Sequence, residues 1–146
     1  MRKSLLGLLI SSAAYACQEA PVETVGFMTI EQGLFSQHNS SGKYIIKDNK
    51  AWETHYKMYH GEHVPNIDFS KEMVISVYRG SQPNPSYAVE IKEIKNLPGE
   101  LEVIVEYGSP EPGMSYPLVI VQPYHLVKLQ KTEKKIIWLQ LSKEQK

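Results

Sequence analysis

Met73-Val-Ile-Ser-Val-Tyr-Arg79, Tyr87-Ala-Val-Glu-Ile-Lys-Glu-Ile94 and Leu101-Glu-Val-Ile-Val-Glu-Tyr107 are the stretches whose reading decides the fold. In the first, Met73, Ile75 and Val77 alternate with Val74, Ser76 and Tyr78. In the second, Tyr87, Val89 and Ile91 alternate with Ala88, Glu90 and Lys92. In the third, Leu101, Val103, Val105 and Tyr107 alternate with Glu102, Ile104 and Glu106. Side chains of a strand point to opposite faces in turn, so a period of two with one polar face predicts antiparallel strands half exposed to water. Pro98-Gly99 is a tight turn between the second and third.

Downstream, Tyr116 to Val121 is apolar on both faces and predicts a central strand. His125–Gln130 and Ile136–Leu141 predict a terminal hairpin across Lys131–Lys135. Upstream, Val25–Ile30 and Lys43–Lys47 have strand composition, and the polar run Ser36–Gly42 between them is a loop. Asp48–His60 carries the one helix signal. Asp48 is a natural N-cap, because its carboxylate can accept free N–H groups of the first turn. Trp52, Tyr56 and Tyr59 fall at i, i+4 and i+7, one face that packs on a core. Gly61 follows as a stop. No internal repeat and no heptad appears. The expectation is a mainly β (α+β) fold: an antiparallel β-sandwich or partly closed barrel with one short helix in its N-terminal half.

At 146 residues the chain is one domain, large enough to fold without metal or disulfides. Sixteen Lys plus Arg balance sixteen Asp plus Glu, so no net field attracts nucleic acid. The composition excludes a disulfide scaffold, a basic nucleic-acid binder and a multi-span membrane protein.

Arg2-Lys3, the apolar run Ser4–Ile10 and the small residues before Ala16 read as a secretory signal peptide over 1–16. The apolar run is far short of the ~20 residues that span a bilayer. Cys17 is the only cysteine and follows Ala14-Tyr15-Ala16 directly. That context is similar to a bacterial lipobox, with Ala14 where Leu is usual. It predicts cleavage before Cys17 and lipid attachment to it, and localisation in the periplasm or cell envelope. Residues 17–24 then form a tether and 25–146 a single domain. Without Arg2 and Lys3, 14 positive charges face 16 negative ones. Any membrane link is therefore expected from the lipid and not from a basic surface.

Candidate chemistry is sparse. His55, His60 and His63 have spacings of five and three, where a helical metal pair needs i and i+4, and no further cysteine can complete a zinc site. They are read as solvated histidines, with no metal and no cofactor. There is no G-x-S-x-G elbow. Ser109 and Ser115 have no histidine nearby in sequence, although His125 could approach them in space. The chain is therefore read as not an enzyme. Two loops stand out: Gly80-Ser-Gln-Pro-Asn-Pro-Ser-Tyr87 and Gly108-Ser-Pro-Glu-Pro-Gly113. Proline reduces the freedom of the unbound loop, so a stiff loop loses less entropy on binding. The same composition also suits plain strand connections.

Trp52 on a short helix, Asp68-Phe-Ser-Lys-Glu-Met-Val74, Gly80, Tyr87-Ala-Val-Glu-Ile91, Pro110-Glu-Pro-Gly113 and Pro123-Tyr-His-Leu-Val127 together resemble the C-terminal domain of the PrcB family. These are accessory subunits of a bacterial protease complex. The resemblance runs from Trp52 to Lys131 and departs at Asn84-Pro85-Ser86-Tyr87, where the family usually has Thr-Gly-Gly-Tyr. It implies an exported, often lipid-anchored, non-catalytic protein that helps a protease mature or stay stable. Gln82-Pro-Asn-Pro-Ser-Tyr87 is also similar to a loop of chagasin-like cysteine protease inhibitors, which implies a peptidase inhibitor instead. A structural envelope lipoprotein is a further alternative.

Strand parity puts the Gly80–Ser86 and Gly108–Ser115 loops at one end of the sheet and Pro98-Gly99 at the other. Partner-binding residues are accordingly expected at Pro83, Pro85, Tyr87, Pro110, Pro112, Gly113 and Tyr116, with Tyr124, which parity does not place, as a further candidate. The expected partner is an exported protein, and the resemblance implies a peptidase. Asp68 is expected to cap the turn before Phe69 and not to act catalytically.

Overall fold

The computed structural model describes residues 21–142. The expected signal peptide, Cys17 and residues 17–20 of the expected tether lie outside them. Eight strands and one helix follow in order: β1 (Glu23–Thr24), β2 (Phe27–Gly33), β3 (Gly42–Ile46), α1 (Asn49–Tyr59), β4 (Glu72–Tyr78), β5 (Val89–Leu97), β6 (Glu100–Tyr107), β7 (Tyr124–Gln130) and β8 (Lys135–Ser142). They form two four-stranded sheets, ordered β1-β5-β6-β8 and β2-β7-β4-β3. The fold is the expected sandwich and not a closed barrel. Glu23 and Thr24, placed in the tether by the sequence, pair with Asn96 and Lys95 of β5.

Two apolar clusters account for the layering. Met73, Ile75 and Val77 of β4 and Val127 and Leu129 of β7 meet Val89, Ile91, Leu101, Val103 and Val105 of the other sheet. That core lies between the sheets. On the outer face of the second sheet, Val74, Tyr78, Tyr124 and Leu126 pack against Ile46, Ile67, Trp52 and Tyr56. The helix thus makes a third layer. Asp48 caps it as expected, its carboxylate accepting the Ala51 N–H at 2.8 Å. Trp52 is fully buried, and its indole N–H donates to the Pro65 carbonyl at 2.8 Å.

This third layer corrects the reading of β4. The strand is buried on both faces, including Ser76, because the helix covers the face that the sequence left to water. Strands β5 and β6 keep a more exposed outer face.

Two further expectations fail. Tyr116–Val121 is not a central strand; it is an extended strap with Leu118 95% exposed, held by one antiparallel bridge between Val121 and Gln82. Pro117 within it and Pro123 just after it have no N–H to give a ladder. Nor do β7 and β8 form a hairpin. The chain crosses between sheets after Gln130, and β8 runs parallel to β6 with Trp138 opposite Val103. Ile136 and Trp138 there face the inter-sheet core, a better burial than a two-stranded hairpin would give.

Asp68 is structural. Its carboxylate accepts from the Ser70 N–H and hydroxyl, one residue beyond the expected turn. Hydrogen bonding to Ser70 holds its pKa below the ordinary value.

Candidate functional site

The two proline-rich loops meet. Strand β4 runs up to Arg79, β5 leaves the same end downward from Val89, and β6 returns to it at Tyr107. The Gly108 N–H donates to the Ala88 carbonyl at 2.9 Å, joining the loops at their bases. A Cβ on Gly108 would lie 2.8 Å from the Ser86 carbonyl oxygen, so only glycine allows this approach.

Each loop is internally fixed. In Asn84-Pro85-Ser86-Tyr87 the Tyr87 N–H reaches the Asn84 carbonyl at 3.4 Å, and the Asn84 side chain accepts from the Ser86 N–H at 3.0 Å. Proline at the second position pre-sets such a turn. The chain thus closes with proline and an asparagine side chain the turn where the family usually has two glycines. In Glu111-Pro112-Gly113-Met114 the Met114 N–H reaches the Glu111 carbonyl at 3.2 Å, and Gly113 has φ +79°. Pro then Gly with positive φ is the pattern of a type II turn. The Tyr116 hydroxyl accepts the Glu111 N–H at 3.1 Å and ties the strap to this turn.

Arg79 staples the two loops. Its Nη1 donates to the Ala88 carbonyl at 2.8 Å and also to the Gly108 carbonyl. The guanidinium lies 5.0 Å from the Tyr87 ring and 5.3 Å from the Tyr107 ring, within cation–π range of both. Burial raises the Tyr107 pKa, and the Arg79 charge opposes that rise. The sequence reading did not single out Arg79. The signal was present: one arginine directly before a glycine at the end of a buried strand, in a chain whose other arginine is Arg2.

Ser86, Gly108, Ser109, Glu111 and Tyr116 line a shallow groove of about 230 Å³ between the loops. Pro83, Pro112 and Gly113 are exposed beside it, and Pro85, Tyr87, Pro110 and Tyr116 are half-buried. Of the expected residues, Tyr124 stands apart. It is 5% exposed, and its hydroxyl donates to Glu31 beneath the helix, so it offers no surface to a partner. A larger trough of about 750 Å³ runs past Met28, Glu72 and Lys128 and contains none of the expected binding residues.

Two of the three histidines expected to be solvated, His55 and His60, are not. His55 and His60 are partly buried, and their Nε2 atoms lie 2.8 and 2.7 Å from the same Tyr78 hydroxyl. His38 stacks on the Tyr78 ring with centroids 4.3 Å apart. Only His63 is exposed. Among the described residues no cluster of three or more His, Cys, Asp or Glu is arranged for a metal. His125 is remote from Ser109 and Ser115 in role: its Nδ1 accepts the Ile91 N–H at 2.9 Å, leaving Nε2 to pair with the Thr29 hydroxyl at 2.8 Å. It satisfies a backbone amide at the β5 irregularity between Ile91 and Glu93, and burial lowers its pKa. It is not available as a catalytic base.

The architecture is that of a two-sheet β-sandwich whose loops are stiffened at one end. Residues 73–130, from β4 to β7 and including both loops, match the family model described as PrcB C-terminal. The family resemblance read from the sequence holds over this segment. No curated protein and no solved structure matches the chain.

Proposed function

We propose that the chain is an exported, lipid-anchored, non-catalytic accessory protein that docks an envelope protease through the two-loop end of its sandwich. The observation that carries this reading is the Arg79 staple inside the PrcB-matching segment. Two loops held by one guanidinium lose little freedom when a partner lands. Tyrosine and arginine, concentrated here, are the residue types that dominate interface energies. A chagasin-like inhibitor would use the same end, so the two readings divide on whether the captured peptidase loses or keeps activity.

Cross-linked capture from the native envelope tests the proposal. The natively processed protein is expected to bring down one exported protein reproducibly, with its peptidase activity retained. Exchanging Gly80–Ser86 and Gly108–Ser115 for plain Gly/Ser turns should abolish capture while leaving the melting transition cooperative. Unchanged capture by the exchanged protein would place the docking surface elsewhere.

The anchor is tested by intact mass. Mature protein beginning at an acylated Cys17 is expected, and Cys17→Ser should release unmodified protein from the membrane. A mature species with the same unmodified mass in both proteins would reject lipidation and leave export standing.

A further inference from the structure

The histidine cluster and the proposed docking end are mechanically joined. His38 is 3% exposed. Its Nδ1 lies 2.5 Å from the Ser40 carbonyl, and its Nε2 2.7 Å from the Tyr44 hydroxyl. A carbonyl can only accept, so Nδ1 carries a proton. These bonds shape the Ser36–Gly42 loop. The adjacent Asn39 carbonyl accepts the Ser81 N–H at 2.9 Å, and Ser40 and Ser41 press on Gly80. A Cβ at Gly80 would meet the Ser40 carbonyl carbon at 2.8 Å, and Gly80 has φ +83°. The same loop is held to the helix end by the Gln37 N–H on the Tyr59 carbonyl, 3.0 Å. The base of the Gly80–Ser86 loop therefore rests on a loop that is clamped by α1 and His38.

The clamp is built for neutral rings. One Tyr78 hydroxyl serves both His55 and His60. With a single proton it donates to one ring and accepts from the other, which satisfies two neutral imidazoles of opposite tautomer. Two imidazolium rings would both have to donate to that oxygen, strand its own proton, and place two charges against it. Burial and the neighbouring His60 and His38 push the His55 pKa down to about 4. Burial lowers that of His60 as well, with Glu31 opposing.

The groups facing the cluster come from every packed element. Strand β2 supplies Glu31, which accepts from the Tyr56 and Tyr124 hydroxyls. The loop supplies His38, β3 Tyr44, α1 Tyr56 and Tyr59, β4 Ser76 and Tyr78, and β7 Tyr124. Only Glu31 brings a negative charge. The ion pair of Glu53 and Lys57 lies on the exposed side of the helix.

We infer that His55 and His60, bridged by Tyr78, form an acid-sensitive latch that holds α1 and the Ser36–Gly42 loop in place and, through Asn39 and Ser81, the docking loop Gly80–Ser86. That the latch controls partner binding rests on the proposed function; the latch itself does not. A histidine with a depressed folded pKa stabilises the docked state above its unfolded value of roughly 6.5 and loses that contribution as pH falls below it. The docked state is therefore favoured at neutral pH and weakens from about pH 6.5 towards 4.

Amide exchange on the natively processed protein, corrected for the intrinsic pH dependence of exchange, reads this without a partner. Between pH 7.5 and 4.5 protection at Gln37 and Ser81 is expected to fall at least tenfold, with β4 and β7 amides still protected. His55→Gln/His60→Gln should make the residual protection independent of pH, and His63→Gln should behave as wild type. Should the double variant not fold, ring-nitrogen resonances of the wild type give the second measurement: His55 and His60 must protonate in step with the loss of protection. Flat protection, loss shared equally by the whole sheet, protonation out of step, or unaltered pH dependence in a folded double variant would overturn the latch. Partner capture lost at neutral pH in the loop-exchanged protein, alongside a flat exchange profile, would leave the docking proposal intact and remove only the latch.

Discussion

Trp52→Ala is expected to cost about 3–5 kcal/mol, the range for truncating a buried aromatic. Trp52 is fully buried among Ile46, Ile67, Val74, Tyr78 and Leu126, and packs 5.2 Å from the Tyr56 ring. The loss removes the larger of the two aromatic groups, Trp52 and Tyr56, that α1 buries in the outer core. It also leaves the Pro65 carbonyl without its indole donor, a further desolvation cost. Against a total stability of about 5–15 kcal/mol this is a large share. A fall in melting temperature of roughly 10–20 °C is expected for a domain of this size. Met58, exposed on the same helix, is the control: Met58→Ala should stay within about 0.5 kcal/mol. A Trp52→Ala melt within a degree or two of wild type would mean that α1 is not docked on the sheet.

Arg79→Ala should affect both stability and capture. The Ala88 and Gly108 carbonyls lose a charged donor, and hydrogen bonds to charged groups contribute about 1.5–3 kcal/mol each. The contacts with Tyr87 and Tyr107 add about 0.5–1 kcal/mol apiece at partly exposed sites. These contributions are not additive, and a net destabilisation of about 2–4 kcal/mol is expected. Capture of the partner should drop at least tenfold at temperatures where the variant is folded, because the two loops are then ordered separately on binding. Arg79→Lys should not rescue it: an ammonium has no planar face to lie against Tyr87 and Tyr107. Chemical denaturation measures the first effect and a capture titration the second. A folded Arg79→Ala protein that captures its partner with unchanged affinity would remove the staple from the docking mechanism.

Local pattern read out well wherever one element met one environment. The alternation of Leu101, Val103 and Val105 with Glu102, Ile104 and Glu106 gave β6, and Asp48 with Trp52 and Tyr56 gave α1 and its cap. Parity of consecutive strands brought the Gly80 and Gly108 loops together even though Tyr116–Val121 is a strap and not the fourth strand. That placement needs only the hairpin β5–β6 and the direction of β4. Pro112-Gly113 and Asn84-Pro85 announced their turns because those residues set backbone angles by themselves.

The misses share one cause, in that each depends on what another part of the chain does. Ser76 is buried, and the face it shares with Val74 and Tyr78 is covered, only because α1 returns over β4. Ile136–Leu141 has the alternation of any strand, and nothing in it distinguishes a hairpin with β7 from a parallel partner such as β6. His55 and His60 have the wrong spacing for a metal, and that spacing says nothing of a tyrosine 18 residues further on. Arg79 looks like any strand-end cation until Ala88 and Gly108 converge on it. The sequence by itself determined all the strands but β1, the capped helix, the stiff loops and the family likeness over 73–130, since backbone preference and side-chain periodicity act between near neighbours; at Tyr116–Val121 the same periodicity misled. Which sheet each strand joined, the third layer over β4, the Arg79 staple and the Tyr78 bridge were decided only by the tertiary structure. Burial and hydrogen-bond satisfaction there are settled between groups far apart in the chain, and no local pattern encodes them.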